Sequence, residues 1–118
     1  PHPEAYFLEP ARRLRAGCAV PIVLVGGLRR LATMEAIVGS GDADFVAMAR
    51  PFIREPDLVV RAAAGGLRTV ACTSCNLCLV HESHHSLRCW RSPRSGLWEH
   101  AVYRLGGGLR ETHRPHTA

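Results

Sequence analysis

Pro21-Ile-Val-Leu-Val-Gly-Gly27 and Asp44-Phe-Val-Ala-Met-Ala-Arg-Pro51 decide the fold of this chain. Each holds a short apolar run, residues 22–25 and 45–48, that stops at small residues followed by a basic one. Runs of that length, apolar on both faces and bounded by turn residues, have the pattern of buried parallel strands. Between them residues 31–38 have a helical pattern with Leu31, Met34, Ile37 and Val38 facing inward, and Gly39-Ser40-Gly41 ends it. Upstream, residues 4–16 form a further helical pattern that presents Ala5, Leu8, Ala11 and Leu14 on one face. Pro10 interrupts it, so the helix either kinks there or restarts with Pro10 in its first turn. Downstream, Pro51-Phe52-Ile53 leads into a third helix with Pro56 near its first turn and Leu58, Val59 and Ala62 as contacts, stopped by Gly65-Gly66. The order α-β-α-β-α implies an α/β fold with a parallel sheet.

The two strand ends carry the first candidate site. Gly26 and Gly27 close the first strand, while Ala49 and Arg50 close the second. Small residues let backbone amides approach a ligand, and a guanidinium beside them favours an anion, in the first place a phosphate. In a (β/α)8 barrel a cofactor phosphate commonly sits between the loops after the last two strands and the amino end of a short helix. A plain turn at Gly-Gly and a surface role for Arg50 have equal standing on spacing alone. Asp42 and Asp44 lie at the amino end of the second strand, away from that ligand end, and read as turn and solubility residues.

From Leu67 onward the chain changes character. Cys72, Cys75, Cys78 and Cys89 follow a C-x2-C-x2-C-x10-C spacing. Three thiols at overlapping three-residue steps favour a [4Fe-4S] cluster, with the fourth ligand arriving from further along. Zinc stays open, because His81, His84 and His85 lie between the third and fourth Cys. So does a set of buried thiols with no metal, as Cys18 is expected to be. His100, His113 and His116 are expected in solvent without a ligand, Trp98, Val102 and Leu105 to place one or two helical turns against the body, and the last ten or so residues to be disordered.

Composition narrows the function classes. The 118 residues are 47% hydrophobic and 21% charged, with a net charge of +5 carried by 15 Arg and no Lys. Residues 1–66 hold 8 Arg against 7 acids, and residues 67–118 hold 7 Arg against 3 acids with six of the seven His. A basic tail without aromatic interleaving or a recognition motif argues against nucleic acid as a partner. No apolar run reaches the roughly 20 residues of a membrane span. Clustered Cys suit a reducing, cytoplasmic setting. The chain opens on Pro1-His2-Pro3 rather than Met, which suggests a start inside a longer protein.

Taken together, Pro21-Ile-Val-Leu-Val-Gly-Gly-Leu-Arg29, Gly41-Asp-Ala-Asp-Phe-Val-Ala-Met-Ala-Arg-Pro51, Ile53-Arg-Glu-Pro-Asp-Leu58 and Cys72-Thr-Ser-Cys-Asn-Leu-Cys78 closely resemble the carboxyl-terminal part of the old yellow enzyme family, the NADH:flavin oxidoreductases. The Cys motif is nearest the branch of 2,4-dienoyl-CoA reductase and trimethylamine dehydrogenase. The resemblance implies that residues 1–66 are the last two β/α units, strands seven and eight, of a flavin-binding TIM (β/α)8 barrel. It also implies an irregular Cys-rich segment at 67–91 and a basic, partly disordered tail at 92–118. By the same resemblance Gly26, Gly27, Ala49 and Arg50 hold the phosphate of FMN, Cys72, Cys75, Cys78 and Cys89 ligate a [4Fe-4S] cluster, and NAD(P)H delivers hydride to a small-molecule substrate. A whole barrel takes about 250 residues, so the chain needs the amino-terminal part of the barrel as its partner and carries no catalytic residue itself. The rivals are a non-catalytic zinc-binding module and an inactive truncated paralogue.

Overall fold

The computed structural model describes residues 3–81 and 85–106. The chain divides into two compact units, Pro1–Ser74 and Cys75–Ala118. In the first unit the elements run α1 (Leu8–Gly17), β1 (Val23–Val25), α2 (Leu31–Gly39), β2 (Phe45–Ala47), α3 (Arg50–Arg54) and α4 (Leu58–Ala63). β1 and β2 pair in parallel, with Val23 opposite Phe45, Leu24 opposite Val46 and Val25 opposite Ala47. Partners in a ladder share a face. Leu24 is therefore buried on the side of the helices together with Val46, in a core completed by Ala11, Leu28, Met34, Ile37, Ala43, Leu58, Leu67 and Val70. Val23, Val25 and Phe45 stand on the opposite face and are exposed.

The helices differ from expectation in instructive ways. α1 starts at Leu8, with Pro10 in its first turn, because residues 4–7 form a turn in which Ala5 takes φ +52°. Ala11 is inward but Leu14 is 62% exposed. Met34 and Ile37 of α2 are buried while Val38 faces out. The expected third helix forms as α4, just after Pro56, and a short extra helix, α3, precedes it: the backbone breaks at Glu55 between the two, and Val59, one residue and about 100° round from buried Leu58, is exposed. Glu55 secures the break. Its buried carboxylate accepts from the Ala71 amide at 2.6 Å and from Arg61 at 2.9 Å. The chain beyond α4 thus returns to β1's exit, where Val70 N donates to Arg29 O at 2.9 Å and Leu31 N to Arg68 O at 3.0 Å.

At the amino end of the strands Asp42 and Asp44 do more than solvate a turn. Arg12 forks onto Asp42 with two bonds of 2.9 Å, and Asp44 accepts from the Ile22 amide at 2.6 Å and from Arg15. The Ile22 amide, then Arg15, hold the Asp44 carboxyl below its ordinary range. A lowered native pKa contributes stability that is present above the unfolded carboxylate value and lost as pH falls through the native one. Asp44→Asn should therefore lower the urea midpoint at neutral pH, and the difference from the parent should shrink as the pH falls below the ordinary carboxylate range. A difference that stays the same on acidification would contradict this.

In the second unit, α5 (Leu77–Val80) follows Asn76 at φ +61°, and α6 (Ser95–Leu105) is the longest helix described. Gly96 lets α6 start against the Trp90 carbonyl: a Cβ there would lie 2.6 Å from that oxygen. Trp98, Val102 and Leu105 do fall on one helix, yet they are the exposed face, at 74%, 50% and 88%, because Gly96 and His100 are the residues turned inward. The tail from residue 107, including His113, His116 and the expected terminal disorder, lies outside the described residues, as does His84. Among the described residues no helix is long and apolar enough to cross a membrane.

Candidate functional site

The parallel register brings the carboxyl ends of β1 and β2 to one edge. Gly26 and Gly27 leave β1 with φ of +121° and +69°, values that only glycine adopts without strain. Ala49 (φ −107°, ψ −64°) precedes Arg50, the half-buried first residue of α3, and among the described residues no side chain caps that helix. All four predicted residues, Gly26, Gly27, Ala49 and Arg50, thus meet at the same end of the sheet, while Asp42 and Asp44 stand at the other. The arrangement offers main-chain amides and one guanidinium to an anion.

What sequence reasoning missed at this edge is the segment 4–7. Glu4 Oε1 accepts from the amides of Arg29 at 3.0 Å and Arg30 at 2.6 Å, and Oε2 from Arg30 Nε at 2.6 Å. The Ala5 amide donates to Gly27 O at 3.3 Å. Tyr6 and Phe7, packed edge to face with centroids 4.6 Å apart, cover the two glycines. A Cβ on Gly26 would fall 2.7 Å from Phe7 Cδ2, and one on Gly27 would fall 2.7 Å from Tyr6 Cδ1. Burial opposes ionisation of Glu4, but the Arg30 amide and guanidinium and the Arg29 amide outweigh it and hold the carboxyl below its ordinary range. A helical reading of residues 4–7 concealed this; the only signal was an acid preceding two aromatic residues.

Cys75 is exposed, while Cys72, Cys78 and Cys89 are half-buried, and none of the five is in a disulfide. Among the described residues no three Cys, His, Asp or Glu side chains converge as metal ligands.

His100, expected in solvent, is buried instead. Its Nδ1 shares a 2.6 Å hydrogen bond with Nε2 of His81, which is 1% exposed and stacks on Trp90 at a centroid distance of 3.9 Å. His85 and Tyr103 pack beside the same rings, and Arg88 lies 4.0 Å over Trp90. His100→Ala removes that hydrogen bond and leaves a cavity, so it should cost this unit about 2 kcal/mol. Urea unfolding followed by Trp90 fluorescence, in a Trp98→Phe background, measures it; an unchanged midpoint would show that the pair carries no stability.

Comparison with known proteins bears on the first unit. The profile of the NADH:flavin oxidoreductase / NADH oxidase family matches residues 3–68, more than half of the chain. A 4,4'-dithiodibutanoate disulfide reductase of Rhodococcus erythropolis is 38% identical over 79 residues, 67% of this chain and 19% of that protein. The NADH-dependent flavin oxidoreductase iccE of Talaromyces variabilis is 43% identical over 54 residues, 45% of this chain and 13% of the relative. An NADH oxidase of Thermoanaerobacter brockii is 31% identical over 90 residues, 73% of this chain and 14% of the relative. The chain thus spans less than a fifth of the length of these relatives. With the paired strand ends, the glycines of positive φ and Arg50 all inside the matched stretch, the chain belongs to the NADH:flavin oxidoreductase / NADH oxidase family.

Proposed function

We propose that this chain is the carboxyl-terminal, phosphate-holding part of an FMN-dependent NAD(P)H oxidoreductase built on a TIM (β/α)8 barrel. One observation carries the proposal: two adjacent parallel strands end together in Gly26-Gly27 and in Ala49-Arg50. The second support is the open face of the sheet. In a barrel one face of each strand meets the helices and the other meets the barrel interior. Leu24 and Val46 take the first role here, and the exposed Val23, Val25 and Phe45 await the second.

The residues fit the cofactor's phosphate. Amides of Gly26, Gly27 and Ala49 would donate to its oxygens and Arg50 would supply the counter-charge, with the rings of Tyr6 and Phe7 limiting water over the loop. When bound, the flavin supplies hydride transfer between a nicotinamide and an acceptor. The acceptor class is an activated alkene or a similar small molecule; the Rhodococcus relative is named for a disulfide. The proposed organisation is barrel at 1–66, Cys-rich segment at 67–91 and basic tail at 92–118, in a cytoplasmic enzyme whose remaining barrel strands are this segment's partner.

A [4Fe-4S] cluster on Cys72, Cys75, Cys78 and Cys89 has only the spacing behind it, so no electron is routed through one here. The deciding experiment is an absorbance spectrum with iron and zinc analysis, on the longest form the gene encodes, purified without oxygen. A flavin spectrum supports the proposal, and about four irons per chain would add the cluster. A colourless protein would overturn both.

A further inference from the structure

We propose that Glu4 is a positioning residue for the cofactor phosphate: its carboxylate fixes the Arg29–Arg30 backbone and, with Tyr6 and Phe7 laid over Gly26 and Gly27, sets the conformation of the amide loop. This rests on the flavin reading above. Glu4 lies 25 residues before Arg29 in sequence, yet its two oxygens take three donors from the segment that leaves the glycines. The next residue closes the same loop from the other side, through the Ala5 N to Gly27 O bond. Ala5 does so at φ +52° while 6% exposed, a conformation that persists for alanine only where its surroundings dictate it. Segment 4–7 is therefore fastened at the main chain, at a carboxylate and at two rings.

The clamp has a consequence for where an anion can sit. The Arg29 and Arg30 amides, at the amino end of α2, are already answered by Glu4. A phosphate at this edge is left the amides of Gly26, Gly27 and Ala49, with Arg50 beside them. Glu4 thus shapes the loop and withholds the Arg29 and Arg30 amides from the anion.

The test uses the longest form the gene encodes. FMN affinity is measured by flavin fluorescence quenching, and amide hydrogen exchange is followed at Gly27, Arg29 and Arg30. Glu4→Gln keeps the size but replaces one acceptor oxygen by an NH2 group, which then faces either the two amides or the Arg30 guanidinium. It should raise the FMN Kd about tenfold and speed exchange at Arg29 and Arg30. Glu4→Asp, which keeps the charge on a shorter arm, should fall between Gln and the parent, and it serves if the Gln form does not fold. Asp44→Asn separates positioning from general stability: it weakens the opposite end of the strands and should leave FMN affinity unchanged. Equal FMN affinity in Glu4→Gln and parent would overturn the inference, as would an equal loss in Asp44→Asn. If the parent itself takes no FMN, the flavin reading falls and this inference falls with it, whereas loss of affinity only in the Glu4 variants leaves both standing.

Discussion

Gly26→Ala should lower the thermal midpoint by about 10 °C or more, an effect of about 3 kcal/mol for a unit of this size. Two costs combine. The backbone at φ +121° belongs to a region that a Cβ makes strained, and the Cβ itself would lie 2.7 Å from Phe7 Cδ2 and 2.9 Å from Tyr6 Cε2. The rings can retreat, but only by lifting segment 4–7 from the loop, which loosens the Ala5 and Glu4 bonds as well. The same substitution should therefore weaken FMN binding beyond what its loss of stability explains. Gly39→Ala is the control: nothing lies within 4 Å of its Cβ position at the end of α2. It should be neutral or stabilise by about 0.5 kcal/mol. Differential scanning calorimetry of the two variants decides the matter. Equal midpoints would mean that Gly26 is an ordinary turn residue and that the aromatic cover carries no weight.

The central α-β-α-β stretch was legible in sequence because its signals are local. Residues 22–25 and 45–48 are short apolar runs bounded by turn residues, the mark of strands, and the glycine pair and Arg50 follow them closely, although the expected burial of both faces holds in this chain only for the Leu24 and Val46 side. Segment 4–7 was not legible, because its structure comes from contacts 25 residues away: Glu4 is fixed by Arg29 and Arg30, and the helical spacing of Ala5, Leu8 and Ala11 masks the turn. His100 failed for a related reason. His100 stands with His113 and His116 in a polar, Arg-rich stretch that looks solvated, and His81 was legible only as a candidate zinc ligand; the meeting of α6 with Trp90 and His81 makes the buried pair. Trp98, Val102 and Leu105 show the limit of periodicity: their spacing identified the helix but not which face packs. The cysteine spacing is the reverse case, a strong local pattern for which the described side chains supply no gathered ligand set.

Arg50→Ala should raise the FMN Kd about 100-fold. The argument runs from the register. Val25 opposite Ala47 places Gly26 level with Met48, so the loop after β1 and the start of α3 face the same volume at the strand ends. Main-chain amides there orient a phosphate but carry no net charge, and on the α2 side Glu4 already occupies the Arg29 and Arg30 amides and the Arg30 guanidinium. Arg50, at the start of α3, then supplies counter-charge, and its planar fork can donate two parallel bonds to one phosphate. Arg50→Lys keeps the charge without the fork, so it should recover about tenfold of the loss. Raising the salt concentration should weaken binding in the parent and in Arg50→Lys more than in Arg50→Ala, because only the first two retain the charge that salt screens. Isothermal titration with FMN, and with riboflavin as the phosphate-free comparison, separates the outcomes. If Arg50→Ala loses affinity for riboflavin as much as for FMN, the residue shapes the pocket rather than neutralising the phosphate, and the anion site lies elsewhere.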